Sequence, residues 1–237
     1  MYSIIYIIFI VILIIYLRKY NYELFTNYKF IRFLHIPKNA GTSFKETYPN
    51  IQHTKHFNAF PLKNKINLAI IRNPYYRIKS IFSHIKDRSN NNTCKDLVEF
   101  TSLDQLAKAY YNKEDILHSK AHNLLFWDKS KLNLYKIYNK NGGCPKKINL
   151  PCIHWAPQYL YLNDLKNIDY LIRFENLDKE IDQLKLMPMF RKIFKKKIKH
   201  SRISSVKSKK MTYLTPTIIK LVNDIYKKDL ILWNKVK

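Results

Sequence analysis

Glycine is scarce here: the 237 residues contain three, with three cysteines, nine prolines and 17 acidic side chains against 43 basic ones. So little glycine and proline excludes a collagen-like chain or a flexible linker. Three cysteines are too few for a disulfide-dense scaffold. The shortage of acid leaves a formal net charge of +26, which excludes an acidic or neutral surface and points to an anionic ligand or partner. The chain is also rich in Lys, Asn, Ile and Tyr, the bias of an AT-rich coding sequence, so charge alone does not name that partner. No internal repeat is present. Apolar types make up 46 % and charged types 25 %, which excludes a disordered chain, and the length allows one ordinary domain with a full core.

Tyr2 to Leu17 is an uncharged apolar run closed by Arg18 and Lys19. With Met1 and Tyr20 to Tyr22 it approaches the roughly 20 residues of a spanning helix. Nothing basic precedes it and no small-residue cleavage site follows, which favours an uncleaved anchor over a signal peptide. The chain then divides into an anchor (1–19), a short stem (20–29) and one domain (30–237). Arg18 and Lys19 follow the run, so the positive-inside rule places that domain on the cytosolic side.

Within the domain, 30–36 (FIRFLHI), 66–71 (INLAII) and 169–174 (DYLIRF) read as buried strands. Pro74 opens a helix at its first position. Ser102 and Gln105 form a capping box for a helix over 102–111. Thr215-Pro216 starts a long helix with Ile218, Ile219, Val222, Ile225 and Tyr226 on one face. Strands alternating with helices predict an α/β fold with a mostly parallel sheet. Asn91-Asn92-Thr93 is a glycosylation sequon, and Cys144 and Cys152 are either a small-loop disulfide or two thiols.

Two segments carry anion-binding chemistry. FLHIPKNAGTSF (33–44) runs from strand through a tight loop into a helix, where backbone N–H groups bind phosphate oxygens. Gly41 permits close approach, Lys38 adds a cation, and Thr42 and Ser43 add hydroxyls. The lysine precedes the glycine, so this is not the G-x-x-x-x-G-K-[ST] pattern of Mg-nucleotide sites. RNPYYRIKS (72–80) follows the second strand, with Arg72 at the strand end and Ser80 two turns into the helix, an Arg fork and a hydroxyl suited to a terminal phosphate. Arg77 reads as a helix-face ion pair. His118 and His122 stand at i, i+4 but have no third ligand nearby.

HIPKNAGTSF resembles the 5′-phosphosulfate loop of membrane-bound carbohydrate sulfotransferases, and IIRNPYYRIKSIF resembles their 3′-phosphate motif. HWAPQ (154–158), RFENL (173–177) and 213–233 resemble further family segments, in the same order. Ala40 departs from the commoner glycine, and Asn234 follows Trp233 where the family has Gly-Tyr. The resemblance implies a P-loop-like three-layer fold with helices on both faces of the sheet. It implies the co-substrate 3′-phosphoadenosine 5′-phosphosulfate (PAPS), held by Lys38, Asn39, Ala40, Gly41, Thr42, Ser43, Phe44, Arg72 and Ser80. It implies a Golgi-type membrane enzyme with a lumenal domain and a glycan acceptor, opposite to the side given by Arg18 and Lys19. Nucleic acid is not an expected partner.

Sulfuryl transfer needs a base at the acceptor hydroxyl and a cation at the leaving group. Lys38 is the cation. The base is a histidine of the segment between the two motifs, His56 or His53, with His56 the better match to the family's placement. His154 and Trp155 are candidates to line the acceptor site, and Glu175 reads as a structural partner. No metal is required. The run 191–210 carries ten Lys or Arg in twenty residues and is expected to attract donor phosphates or an anionic glycan. Two other classes remain open: a nucleotide or small-molecule kinase using the same loop, and a non-catalytic membrane-anchored basic binding protein.

Overall fold

The computed structural model describes residues 2–26, 30–54, 61–88, 99–138, 152–162, 165–198 and 213–236. His56, the sequon at 91–93, Cys144 and most of the basic run lie outside them.

Helix α1 (Tyr2–Thr26) continues through most of the segment expected as stem. Its side chains at 5–17 are all exposed. Among the described residues no helix is long and apolar enough to cross a membrane.

The domain is built on four parallel strands in the order β2-β1-β3-β4. These are β1 (Ile31–Leu34), β2 (Gln52–His53), β3 (Ile66–Ile71) and β4 (Tyr170–Arg173). Phe33 is paired with Leu68, and Ile71 with Arg173. Side chains alternate across the central strand, so Ala69 and Ile71 enter one apolar layer while Leu68 and Ile70 enter the other. Such two-sided burial is why these strands read as continuous apolar runs.

One face is covered by α3 (Pro74–Arg88), α4 (Leu103–Tyr111) and α5 (His118–Leu125), joined by α10 (Pro216–Ile225) and α11 (Lys227–Lys235). The other is covered by α2 (Gly41–Thr47), α8 (Leu177–Lys185) and α9 (Pro188–Arg191). Helices α6 (Lys129–Tyr138) and α7 (Gln158–Leu162) complete the described set. The result is an α/β fold with a parallel sheet flanked by helices.

Local chemistry explains the boundaries. Ser102 caps α4 by accepting from Gln105 N at 3.0 Å, but the Gln105 side chain turns to Thr101, not back to Ser102. Thr215 caps α10 and its hydroxyl donates to Asp104 of α4, tying the two helices. The long helix expected from Thr215 onward is two helices, broken at Tyr226 (φ −103°, ψ 22°), whose hydroxyl donates to the carbonyl of Trp155 at 2.8 Å.

Candidate active site

Strand β1 is followed by β2 on one side and β3 on the other, so the direction of chain progress reverses between β1 and β3. Open α/β sheets hold ligands beyond the carboxyl ends of their strands at such a point. Both anion-binding segments emerge there. Residues 35–40 leave β1, and Arg72 leaves β3.

Lys38 (φ 68°) and Ala40 (φ 58°) are the non-glycine residues with positive φ among those described, and Asn39 between them is not. Alternation of this kind turns successive backbone N–H groups into one concavity, a nest for anions. Helix α2, which follows the nest, is only seven residues long. The left-handed backbone at Ala40 also explains why glycine is the commoner residue of the resembled motif there. Gly41 is needed for a different reason from the one expected. A Cβ at this position would lie 1.9 Å from Cδ2 of His35, so the imidazole covers the glycine directly.

Arg72 lies beside this loop. Its Nη1 donates to the carbonyl of Lys38 at 3.3 Å, and its Cζ sits 4.3 Å from the ring centre of Phe174. Its Nε is buried with no partner, a donor left over for an anion. Burial pushes the guanidinium down to about 10, opposed by Glu175 and assisted by Arg77, so it remains charged at neutral pH. The donors here are N–H groups and cations, a set that fits phosphate and sulfate oxygens.

Behind the ligand-facing groups stands a buried polar layer. Asn39 is 1 % exposed and turns inward, its Nδ2 donating to the Ile70 carbonyl (2.8 Å) and to Oε1 of Gln158 (2.6 Å). Gln158 Oε1 also accepts from Arg72 N (2.8 Å), and its Nε2 donates to the Arg72 carbonyl (2.8 Å). Gln158 N donates to Asp229 Oδ2 at 2.7 Å, and Tyr159 N donates to Oδ1 at 2.9 Å. Burial raises the Asp229 carboxyl, opposed first by Arg77 and then by these N–H donors.

Arg77 is not the surface ion pair that its helical position suggested. It is 1 % exposed, and its guanidinium donates to the carbonyls of Pro37, His154 and Ala156 at 3.2, 3.1 and 2.9 Å. It therefore fastens the loop to the HWAPQ segment. Ser80 is half-buried and shares the Arg77 side of α3, three residues on. Asn73 caps α3, its side chain accepting from Tyr75 N at 3.0 Å. Glu175 accepts from Asn73 N (2.8 Å) and from the Trp233 indole (3.1 Å), the structural role expected of it.

Four of the residues expected at the site lie otherwise than the sequence suggested. Phe44 is fully buried and stacks on Phe33 with centroids 4.2 Å apart, so its ring belongs to the core and not to a nucleotide. Trp155 is 0 % exposed in the opposite core layer and has no ring face for an acceptor. His154 places Nδ1 2.8 Å from Cys152 Sγ and packs on His84, while Cys152 is buried beside it. His53 is wedged against Phe33 and Phe44, with Nε2 on the Tyr48 carbonyl at 2.9 Å and Nδ1 buried without a partner. Neither nitrogen is offered to a substrate hydroxyl, so His53 is poorly placed as a base. Its rival His56 falls among residues not described. Sequence reasoning passed over Asp229 and gave Gln158 no role of its own, and it set Asn39 on the nucleotide, whereas the Asn39 side chain turns inward to Ile70 and Gln158. The polar ends of HWAPQ and RNP were visible, but not what they bind.

Among the described residues no group of three or more His, Cys, Asp or Glu side chains could hold a metal ion. His118 instead meets the Ala109 carbonyl, and His122 stacks between Tyr110 and Phe126.

Residues 49–235 match the Sulfotransferase family. The chain belongs to that family. The match begins after the loop at 35–44, so the loop is assigned on its own residues and geometry. It covers β3, Arg72, HWAPQ, RFENL and both final helices. Sulfuryl transfer in general, by an enzyme, is the chemistry of this family, whose members generally use PAPS as the donor. No curated protein and no solved structure matches the chain.

Proposed function

We propose that this sulfotransferase-family protein moves a sulfuryl group from PAPS to a carbohydrate hydroxyl. The observation that carries the reading is the meeting of Lys38 and Arg72 at the switch point of the sheet, within one hydrogen bond of each other. When bound, PAPS supplies the activated sulfuryl group. The nest at 38–41 and the hydroxyls of Thr42 and Ser43 receive its 5′ end, and Lys38 offsets the negative charge that builds on the leaving oxygen. Arg72 takes the 3′-phosphate, and Ser80 is assigned to the same phosphate from its spacing in the motif. His56 is the proposed base that takes the proton from the acceptor hydroxyl, a role matched to a group whose ordinary pKa lies near neutrality. The excess of basic residues suits an anionic glycan, and the exposed apolar side chains of α1 suit attachment to a membrane of the secretory pathway.

Incubation of the full chain with ³⁵S-labelled PAPS and a glycan panel tests this reading. Label is expected on glycan with the wild type and is expected to be lost with Lys38→Ala or Arg72→Ala. Transfer that survives both substitutions unchanged contradicts it. A requirement for Mg-ATP, with no affinity for adenosine 3′,5′-bisphosphate, turns the assignment to a kinase.

A further inference from the structure

Arg72 and Arg77 each reach the loop through a backbone carbonyl, of Lys38 and Pro37. Gln158 serves both motifs. Its Oε1 is shared by Asn39 Nδ2 of the loop and Arg72 N of the second motif, and its Nε2 returns to the Arg72 carbonyl. The amide thus grips both backbone groups of Arg72 and, through Asn39, the centre of the nest. Asn39 is in turn tied to Ile70 O, so the three residues and the end of β3 form one closed set of hydrogen bonds. Gln158 is itself fixed from behind, because Asp229 accepts its backbone N–H and that of Tyr159. Gln158, Asn39 and Asp229 are all buried, and a buried network of this kind tolerates little displacement, since each broken bond leaves a further unpaired group beside the Asn39 oxygen, which already has no partner.

We infer that Gln158 is the positioning residue that sets the spacing between the loop nest and Arg72, and so makes the site selective for a nucleotide charged at both ends. The inference rests on the function proposed above. Gln158 touches no ligand in this account. It acts through Asn39 and the Arg72 backbone. A ligand with two anionic groups gains from both only if their receptors are held at the matching separation, as in any linked pair of binding contacts. A ligand with one anionic group is indifferent to that separation.

The test compares adenosine 3′,5′-bisphosphate with adenosine 5′-monophosphate by calorimetry on the full chain. In the wild type the bisphosphate is expected to bind more tightly. Gln158→Glu keeps the shape but loses the donor to Arg72 O, and Gln158→Met keeps the length without adding charge. Either is expected to weaken the bisphosphate about tenfold or more while the monophosphate changes less than about threefold, since each lost hydrogen bond misplaces one of two receptors. Equal loss for both nucleotides, or none, overturns the positioning role. Absence of bisphosphate binding in the wild type instead defeats the proposed function. Amide hydrogen exchange on the wild type needs no variant. The monophosphate, which occupies only the loop, is expected to slow exchange at Arg72 N–H through the shared Gln158 oxygen. An Arg72 amide insensitive to loop occupancy refutes the coupling.

Discussion

Nη1 of Arg72 donates to the backbone carbonyl of Lys38 across 3.3 Å, joining two segments 34 positions apart in sequence. Two anion receptors that the sequence offered separately are therefore neighbours, and Phe174 lies under the guanidinium as a platform. Arginine at this position does three things: it carries charge, it stacks, and it closes the loop. Lysine would do only the first.

Arg72→Lys is accordingly expected to weaken adenosine 3′,5′-bisphosphate binding nearly as much as Arg72→Ala. The loss is on the order of ten- to a hundredfold, the range for charge-assisted hydrogen bonds. A thermal-shift titration reads it. Full retention of affinity in the lysine variant would remove the fork from the argument.

Gly41→Ala is expected to destabilise the protein by about 1–3 kcal/mol, the usual range for overpacking, because the new Cβ meets the ring of His35. His35→Ala in the same chain is expected to recover most of that loss. Urea unfolding of the two single variants and the double variant gives the coupling directly.

Ala40→Gly goes the other way. A left-handed non-glycine residue costs roughly 1 kcal/mol, partly offset by the greater freedom of glycine when unfolded. Stability is expected to hold or rise slightly, with nucleotide affinity retained, and a clear loss of stability would be the contrary result.

Trp155 separates a core role from an acceptor role. Trp155→Phe is expected to lower the unfolding free energy by about 1–3 kcal/mol and leave KM for the glycan unchanged, as for a side chain deep in the apolar layer. A raised KM with unchanged stability would restore it to the acceptor site.

His53 predicts a pH dependence. Burial holds its imidazole below the ordinary 6.5, with Lys45 adding to the effect and the Tyr48 carbonyl opposing it. The unfolded chain binds this proton more readily than the folded one, so the neutral ring contributes stability above pH 6.5 that is lost as pH falls through the lowered folded value. The midpoint of urea unfolding is expected to fall between pH 7 and 5, and His53→Gln is expected to flatten that slope. An identical slope in the variant would show that other groups carry it.

Much of this was readable in the sequence. β3 occupies the expected residues and β1 lies within the expected run, because strands buried on both faces announce themselves as apolar stretches, and β4 lies within its run although only Ile172 of its four residues is buried. Pro74, Ser102 and Thr215 marked helix starts through local capping chemistry. β2 did not show, since two residues, Gln52 and His53, leave no alternation to read. The break at Tyr226 carries neither glycine nor proline, and depends on a tertiary bond to Trp155. At the site, the cations and the glycine were visible as residue types. Which polar side chains face inward was not, because Asn39, Arg77 and Gln158 are buried by partners 31 to 119 positions away. A charged residue on an amphipathic helix gives no local sign that it faces three carbonyls.

The pairing of β3 with β4 joins Leu68 to Tyr170 across about a hundred residues of intervening chain. Closing so long a loop is entropically costly before any contact rewards it, and non-local parallel pairing is slow. The loop from β1 and the start of α3 are assembled from nearby sequence, whereas Phe174 and Glu175 arrive only with that late closure. The ring beneath Arg72 and the carboxylate that accepts from Asn73 N are thus supplied across the whole of that separation.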